Sequence, residues 1–184
     1  EHAGDSPIVG NLGPTSNDLW HMGNRVRNFY TYGGMGLCSS IALGMALSTP
    51  EKVISLDGDG SLLMNLGSLV TAANKAPKNF YHFVMDNGVY ATTGGQDVPG
   101  GGVTDYAEMA EAAGYLHSYE FDNLEDFATQ AEEVIAQEGP VFVCVKTVPT
   151  VRHPHERAAS RQQGGVIRSF PQAVQELMQE LGAS

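Results

Sequence analysis

Acidic and amide side chains follow two predicted strands at the points where each strand ends. Asp59 lies in a Gly-Asp-Gly sequence after the strand-like run Lys52–Leu56, and Asn87 follows the run Phe80–Met85. The 26 residues between the two motifs, 61–86, are enough for one crossover helix and the next strand. Because ligands of open α/β sheets sit at the carboxyl ends of strands, parallel neighbours would bring Asp59 and Asn87 side by side at a ligand site.

The turn at residues 58–61 favours an anionic ligand held through a metal ion. A helix begins here, and its free backbone N–H groups suit a phosphate. Neither a Walker loop nor a complete dinucleotide fingerprint follows. No Lys or Arg occurs in residues 53–74, so a metal must supply positive charge, with Asp59 as an oxygen ligand for Mg²⁺. The Gly88 turn can aim the Val89 carbonyl at the same ion.

This arrangement resembles the diphosphate- and Mg²⁺-binding motif of thiamine diphosphate (ThDP) enzymes. The strand context, the spacing and the asparagine favour it over an ordinary turn with a capping asparagine. The similarity extends from about Ile8 to Lys146 and points to the sulfopyruvate and phosphonopyruvate decarboxylases. The signatures are Asn28-Phe29-Tyr30, Gly34-Met35-Gly36-Leu37, Gly58-Asp59-Gly60-Ser61-Leu62-Leu63-Met64-Asn65, Asp86-Asn87-Gly88-Val89-Tyr90 and Thr93-Gly94-Gly95-Gln96.

The resemblance implies roles for individual residues. Met35 would prop the cofactor in its bent shape, although a methionine opening a helix is otherwise a core residue. The Gly33 carbonyl and the Met35 N–H would hold the aminopyrimidine edge, and Ser61 would meet the diphosphate through its N–H or hydroxyl. The implied Mg²⁺ ligands are Asp59, Asn87 and Val89. The implied cofactor-binding residues are Gly33, Met35, Gly58, Asp59, Gly60, Ser61, Asn87, Val89 and Tyr90.

Two departures from the family pattern lie near the expected substrate side. Gly34 stands where the relatives carry serine, and Ala91-Thr92 replaces a more usual polar-Ser pair before Thr93. Thr93 and Gln96 could face the substrate. The identity of the 2-oxoacid is therefore open.

The resemblance also implies a partner. ThDP chemistry needs a glutamate against the aminopyrimidine, which in this superfamily sits on a separate pyrimidine-binding domain. No glutamate of this chain has a matching context. We therefore expect half of an active site, resembling a beta-type subunit that assembles with a pyrimidine-binding alpha-type subunit as α2β2 or larger. The missing domain is either a separate chain or another part of the same polypeptide.

Three functions are compatible with this half-site. The first is the diphosphate-binding subunit of a split ThDP-dependent 2-oxoacid decarboxylase. The second is a split carboligase of the acyloin- or acetolactate-synthase type, which needs the same cofactor half. The third is a ThDP-holding subunit without turnover, against which the intact pair of Asp59 and Asn87 argues.

Hydrophobic patterning predicts the elements that position these residues. Short β-rich runs alternate with longer helical ones, which indicates a doubly wound α/β fold with a mostly parallel sheet and helices on both faces. We expect residues 1–150 to form the ThDP-binding domain and 151–184 a linker and helix packed on it. Predicted strands are Pro7–Asn11, Lys52–Leu56, Phe80–Met85, Tyr115–Phe121 and Val141–Thr147, and predicted helices are Gly36–Ser48, Ser61–Ala76, Tyr106–Ala113, Leu124–Gln137 and Phe170–Leu181.

Composition limits the class of protein. The 184 residues carry a net charge of −11, which opposes binding to nucleic acid or anionic lipid. The uncharged stretch Asn28 to Pro50 holds too many Gly and polar residues to span a membrane. No signal peptide opens the chain, so we expect a cytoplasmic protein with Cys38 and Cys144 buried and reduced. The first residue is not Met, which suggests a piece of something longer.

The remaining polar residues favour structural roles. The basic segment around His153 and His155 could close over an anionic substrate, but a solvated linker is favoured. His82, inside a strand, is expected to be a satisfied structural histidine. Asp57 is expected to stabilise its turn.

Overall fold

The computed structural model describes residues 3–151 and 168–182. Eight strands occur in this part of the chain, and six of them form one parallel sheet in the order β2-β1-β3-β4-β8-β7. The strands β5 and β6 pair separately as an antiparallel hairpin. The bounds are β1 Ile8–Gly10, β2 Asn28–Tyr30, β3 Val53–Gly58, β4 Phe80–Asp86, β5 Val89–Tyr90, β6 Gln96–Asp97, β7 His117–Phe121 and β8 Val141–Lys146.

Helices cover both faces of the sheet, which confirms the predicted doubly wound α/β class. One apolar core lies beneath α2, α4, α5 and α7, and a second lies beneath α1 and α6. Burial of both faces explains why the central strands are near-continuous apolar runs. The bounds are α1 Pro14–Met22, α2 Cys38–Ser48, α3 Asp59–Met64, α4 Gly67–Lys75, α5 Tyr106–Ala113, α6 Leu124–Ala136 and α7 Phe170–Glu180.

The five predicted strands and four of the five predicted helices are confirmed to within two residues at each end. The helix predicted over Ser61–Ala76 is wrong as a single element, because the chain leaves the helix at Asn65 and starts α4 two residues later. The predictions also missed α1, β2 and the β5–β6 hairpin. The strand β2 has three residues at the sheet edge, too few for a period-two pattern to be visible.

The strand order places a switch point between β1 and β3. The chain leaves β1 toward β2 on one side, and β3 pairs with β1 on the other. Ligands of open α/β sheets bind where the strand order reverses, outside the carboxyl ends of the strands. The register pairs Gly58 at the end of β3 with Met85 on β4, so the turns after these two strands are neighbours.

Both cysteines are free and fully buried, as predicted. Burial raises the pKa of the Cys38 thiol well above its usual value and that of Cys144 to about 12, so both stay protonated near neutral pH. Within residues 3–151 and 168–182, no helix has the length and apolarity needed to cross a bilayer. The segment with His153 and His155 lies outside the described residues.

Candidate active site

A cavity of about 240 Å³ opens at the carboxyl ends of β1, β3 and β4. It contains the polar residues that the sequence predicted at two strand ends, together with the turn that holds Met35. Its walls carry one carboxylate, and no Lys, Arg or His of the described chain lines it. The lining residues are Asn11, Leu12, Pro14, Thr15, Met35, Gly58, Asp59, Gly60, Ser61, Met85, Asn87, Val89, Tyr90, Ala91, Thr92 and Thr93.

Asp59 is the first residue of α3 and supplies that carboxylate. Its side chain is buried, and Oδ2 accepts a hydrogen bond of 2.8 Å from the backbone N–H of Gly88. Burial, assisted by the nearby Asp86 carboxylate, raises the pKa of Asp59 to about 6, although the N–H groups of Gly60 and Gly88 oppose the shift. A buried carboxylate with a raised pKa gains from a bound cation.

Asn87 and Val89 belong to the turn that follows β4. The Asn87 amide oxygen accepts a hydrogen bond of 2.9 Å from the Val89 N–H, which shapes the turn. The Val89 carbonyl accepts the N–H of Ala91 at 3.0 Å and keeps a second lone pair. One carboxylate, one amide and one carbonyl oxygen form a hard donor set that suits Mg²⁺ with phosphate as a further ligand.

This donor set needs phosphate to complete it. In the described part of the chain, no three His, Cys, Asp or Glu side chains cluster closely enough to hold a metal ion by themselves. Mg²⁺ is usually bound through one or two carboxylates and the phosphates of a ligand. The residues present therefore fit a metal that arrives with a diphosphate.

Tyr90 explains the second glycine of the Gly-Asp-Gly motif. Its ring lies against Gly60, and a Cβ at that position would overlap the ring and approach the Val98 side chain at 3.2 Å. The ring covers the start of α3 on the cavity side. Gly60 is thus required by close packing, since its backbone has no positive φ.

The structure brings Met35 to the cavity but does not bring Gly33 there. Gly33 is exposed and is not among the described lining residues. Ser61 lines the cavity, and its hydroxyl oxygen accepts a hydrogen bond of 3.0 Å from the N–H of Gly36. Ser61 therefore already joins the Met35 turn to α3.

On the expected substrate side, Thr93 lines the cavity and Gln96 does not. Gln96 instead holds Thr93, since its Nε2 donates to the Thr93 carbonyl at 3.1 Å and its Oε1 accepts from the Thr93 hydroxyl at 2.9 Å. Ala91 and Thr92, which differ from the family pattern, also line the cavity. A Cβ at Gly13 would approach Thr92 Oγ1 at 2.6 Å, so the loop after β1 packs closely on this turn.

Sequence reasoning missed the loop after β1 and the start of α1, which together supply four lining residues: Asn11, Leu12, Pro14 and Thr15. The Asn11 Oδ1 atom is buried without a hydrogen-bond partner. Pro14, at the start of a helix and close after a strand, was the available signal for this element.

A half-buried charge pair lies at the ends of β4 and β8. Lys146, at the end of β8, donates to Asp86 at 2.8 Å and contacts Glu120 at 3.2 Å. Burial alone would lower the pKa of Lys146, but the hydrogen bonds to these two carboxylates outweigh it and raise the pKa. The pair joins the ends of β4 and β8 beside Asn87.

Asp57 and His82 have structural contacts, but the expectation that His82 is fully satisfied is wrong, because His82 Nε2 and Asp57 Oδ2 are buried without a hydrogen-bond partner. Asp57 accepts the N–H of Gly58 at 2.9 Å, which stabilises the turn before Asp59. His82 is fully buried, and its Nδ1 lies 3.2 Å from the Tyr115 hydroxyl. His82 Nε2 lies 3.5 Å from Asp57 Oδ2. Both residues point into the core rather than the cavity.

Comparison with known proteins agrees with this geometry. Residues 9–145 match the family described as thiamine pyrophosphate enzyme, C-terminal TPP binding domain, and the chain belongs to that family. It is 41% identical over 150 residues to the sulfopyruvate decarboxylase subunit beta of Methanocaldococcus jannaschii, covering 81% of this chain and 79% of that one.

Two longer proteins are also similar. The chain is 40% identical to the phosphonopyruvate decarboxylase of Streptomyces hygroscopicus, over 74% of its own length and 34% of that protein. Among solved structures, the thiamine diphosphate-dependent 4-hydroxybenzoylformate decarboxylase of Rhodococcus jostii superposes with a TM-score of 0.66 and 27% identity, over 80% of this chain and 31% of that one. This chain therefore spans about a third of each of these relatives.

Proposed function

We propose that this chain is the diphosphate-binding half of a ThDP-dependent 2-oxoacid decarboxylase, active only with a pyrimidine-binding partner. The observation that carries the proposal is the meeting of Asp59 and Asn87 in one cavity with Met35. These residues come from three turns that are separate in sequence. Family membership and the named activities of the relatives support the same function.

The chain's own residues fit the two ends of ThDP. Asp59, Asn87 and the Val89 carbonyl would hold Mg²⁺, and the N–H of Ser61 would meet the diphosphate. Met35 would support the bend between the two rings. Bound ThDP would supply the electron sink that loss of CO₂ from a 2-oxoacid requires.

The cavity walls carry apolar side chains, and ThDP bound there would displace water from beside Asp59. Apolar side chains of Leu12, Met35 and Met85 line the cavity beside the single carboxylate. Expulsion of water strengthens the interactions of Asp59 with a bound cation. The Tyr90 ring, packed on Gly60, keeps the start of α3 in one conformation.

The partner is proposed from what the described lining residues do not provide. No glutamate among them could face an aminopyrimidine. Next to the Met35 turn, the side chains of Leu37 and Met64 are 50% and 59% exposed, which suits a surface that another subunit covers. The similar protein of Methanocaldococcus jannaschii is itself named a subunit beta. We propose an assembly of two chains of each type or larger.

The proposed substrates are sulfopyruvate- or phosphonopyruvate-like 2-oxoacids, as named for the relatives. Such substrates carry a second anionic group. No Lys, Arg or His of the described chain lines the cavity, and the Thr93 hydroxyl already donates to Gln96. We therefore propose that a cation of the partner meets that group.

Reconstitution tests the function. The chain should show no turnover of any 2-oxoacid alone, and it should release CO₂ and an aldehyde when a pyrimidine-domain subunit, ThDP and Mg²⁺ are added. Steady turnover by the chain alone, with no partner detectable by mass spectrometry, would contradict the divided site. An acyloin as the main product in the presence of an acceptor aldehyde would indicate a carboligase instead.

A further inference from the structure

The turn that carries Met35 is attached to α3 through both backbone groups of Gly36. The Gly36 N–H donates to Ser61 Oγ at 3.0 Å, and Asn65 Nδ2 donates to the Gly36 carbonyl at 3.1 Å. Gly36 has a φ of +86°, and a Cβ there would lie 3.1 Å from the Cβ of Met64. The turn therefore fits closely on α3 only with glycine at this position.

The same short segment also determines where Asp59 lies. Asp59 begins α3, Ser61 belongs to its first turn, and Asn65 directly follows its last residue. At Asn65 the backbone leaves the helix with a φ of −143°, and the side chain reaches Gly36 and, at 3.1 Å, Ser40 Oγ. The break between α3 and α4 thus places an amide donor beneath the Met35 turn.

We infer that Asn65 and Ser61 are positioning residues that set the separation between Met35 and Asp59. The inference rests on the proposed function, in which Met35 supports the ring end of ThDP and Asp59 binds its metal-diphosphate end. Asn65 is not among the described residues that line the cavity, so it acts through Gly36. Loss of its amide should weaken binding of the whole cofactor while binding of the diphosphate end stays intact.

Two probes separate the ends of the site. Calorimetry on the full chain would compare ThDP with inorganic pyrophosphate, each with Mg²⁺, for the wild type, Asn65→Ala and the isosteric Asn65→Asp. We expect both variants to lose about tenfold in ThDP affinity, the effect of about one lost hydrogen bond, and less than about twofold in pyrophosphate affinity. Equal losses for the two probes, or no loss for ThDP, would overturn the inference.

Asn79→Ala is the matched control. Asn79 also donates Nδ2 to backbone carbonyls, of Ala46 at 3.0 Å and Thr49 at 2.7 Å, but at the far end of α2. This variant should lower the unfolding temperature without any selective loss of ThDP. If Asn79→Ala also loses affinity for ThDP but not for pyrophosphate, general destabilisation explains the Asn65 result, and the inference is overturned.

Hydrogen exchange in the ligand-free chain separates this inference from the proposed function. Ser61→Ala should accelerate exchange of the Gly36 amide and leave the Gly88 amide unchanged. Unchanged exchange at Gly36 would overturn the positioning role. Failure of the wild type to bind either probe, even with the partner present, would instead overturn the proposed function.

Discussion

The carboxylate of Asp59 accepts a hydrogen bond from the backbone N–H of Gly88, with 2.8 Å between Oδ2 and the nitrogen. This bond joins the turn after β3 to the turn after β4. Because Gly88 directly follows Asn87, the bond holds the Asp59 carboxylate close to Asn87. The bond therefore orients the carboxylate in the cavity, as the proposed metal site requires.

Replacement of Asp59 should remove cofactor binding. We expect Asp59→Ala to abolish Mg²⁺-dependent retention of ThDP in the assembled complex, because the cavity has no second carboxylate among its described residues. Gel filtration with radiolabelled cofactor would measure retention. Asp122→Ala, at an exposed position before α6, is the control and should retain ThDP. ThDP affinity that is unchanged by EDTA would exclude the metal site.

Magnesium affinity should depend on pH through Asp59. Burial, with help from the Asp86 charge, raises the pKa of Asp59 to about 6. Mg²⁺ binds the ionised form, so below that pH the ion must displace a proton and its affinity should fall about tenfold per pH unit. Titration of Mg²⁺ between about pH 5 and pH 8 would measure this, and a constant affinity over that range would contradict it.

Without metal, the stability of the folded chain should decrease as the pH rises through the pKa of Asp59, whereas the affinity for Mg²⁺ increases. Its pKa in the folded chain, about 6, lies above the value of about 3.9 expected in the unfolded chain. The contribution to stability is therefore fully present below about pH 4 and is lost as the pH rises through 6. Chemical denaturation of Asp59→Asn and the wild type at several pH values would isolate this contribution. Addition of Mg²⁺ with a diphosphate should reverse its pH dependence.

Gly60 should not tolerate a side chain. Gly60→Ala would push the added methyl group into the Tyr90 ring, and we expect a loss of about 1–3 kcal/mol in unfolding free energy together with weaker ThDP binding. Gly44→Ala is the matched control, because Gly44 lies inside α2 with no atom within 4 Å of the added Cβ. That variant should gain about 0.5–1 kcal/mol. Similar effects of the two substitutions on stability would refute the packing argument.

The pair of the half-buried Lys146 and the buried Asp86 should be far more important to stability than an exposed pair. Lys146→Met leaves the buried Asp86 carboxylate without its cation, and we expect a loss of about 1–3 kcal/mol. Lys78→Met is the control, because the Lys78–Glu138 pair has a similar distance of 3.0 Å but side chains that are 75% and 57% exposed. Its loss should stay below about 1 kcal/mol. Chemical denaturation of both variants would test this difference.

Features with local or periodic causes could be predicted from the amino-acid sequence. The apolar runs of β3 and β4 specify two buried parallel strands, and such strands present their carboxyl ends at one edge. The nearness of Asp59 and Asn87 follows from that. Helix starts were equally local, since Asp105 accepts the N–H of Glu108 at 2.8 Å and Asn123 that of Glu125 at 2.8 Å. These residues bond within three positions of themselves.

Contacts between residues that are distant in sequence could not be predicted, because they depend on how the strands and helices pack. Asn65 ends α3 because its amide finds the Gly36 carbonyl, 29 positions away, and no helical period in residues 61–76 reveals that partner. Asn11 lines the cavity because β1 pairs with β3. Lys146 contacts Asp86, which is 60 positions away in sequence, because β8 pairs with β4. Local preferences act over one or two turns, whereas these bonds form only once the sheet order is established. The sequence therefore predicted the residues of the proposed metal site, whereas the contacts that hold these residues in place depend on the tertiary structure.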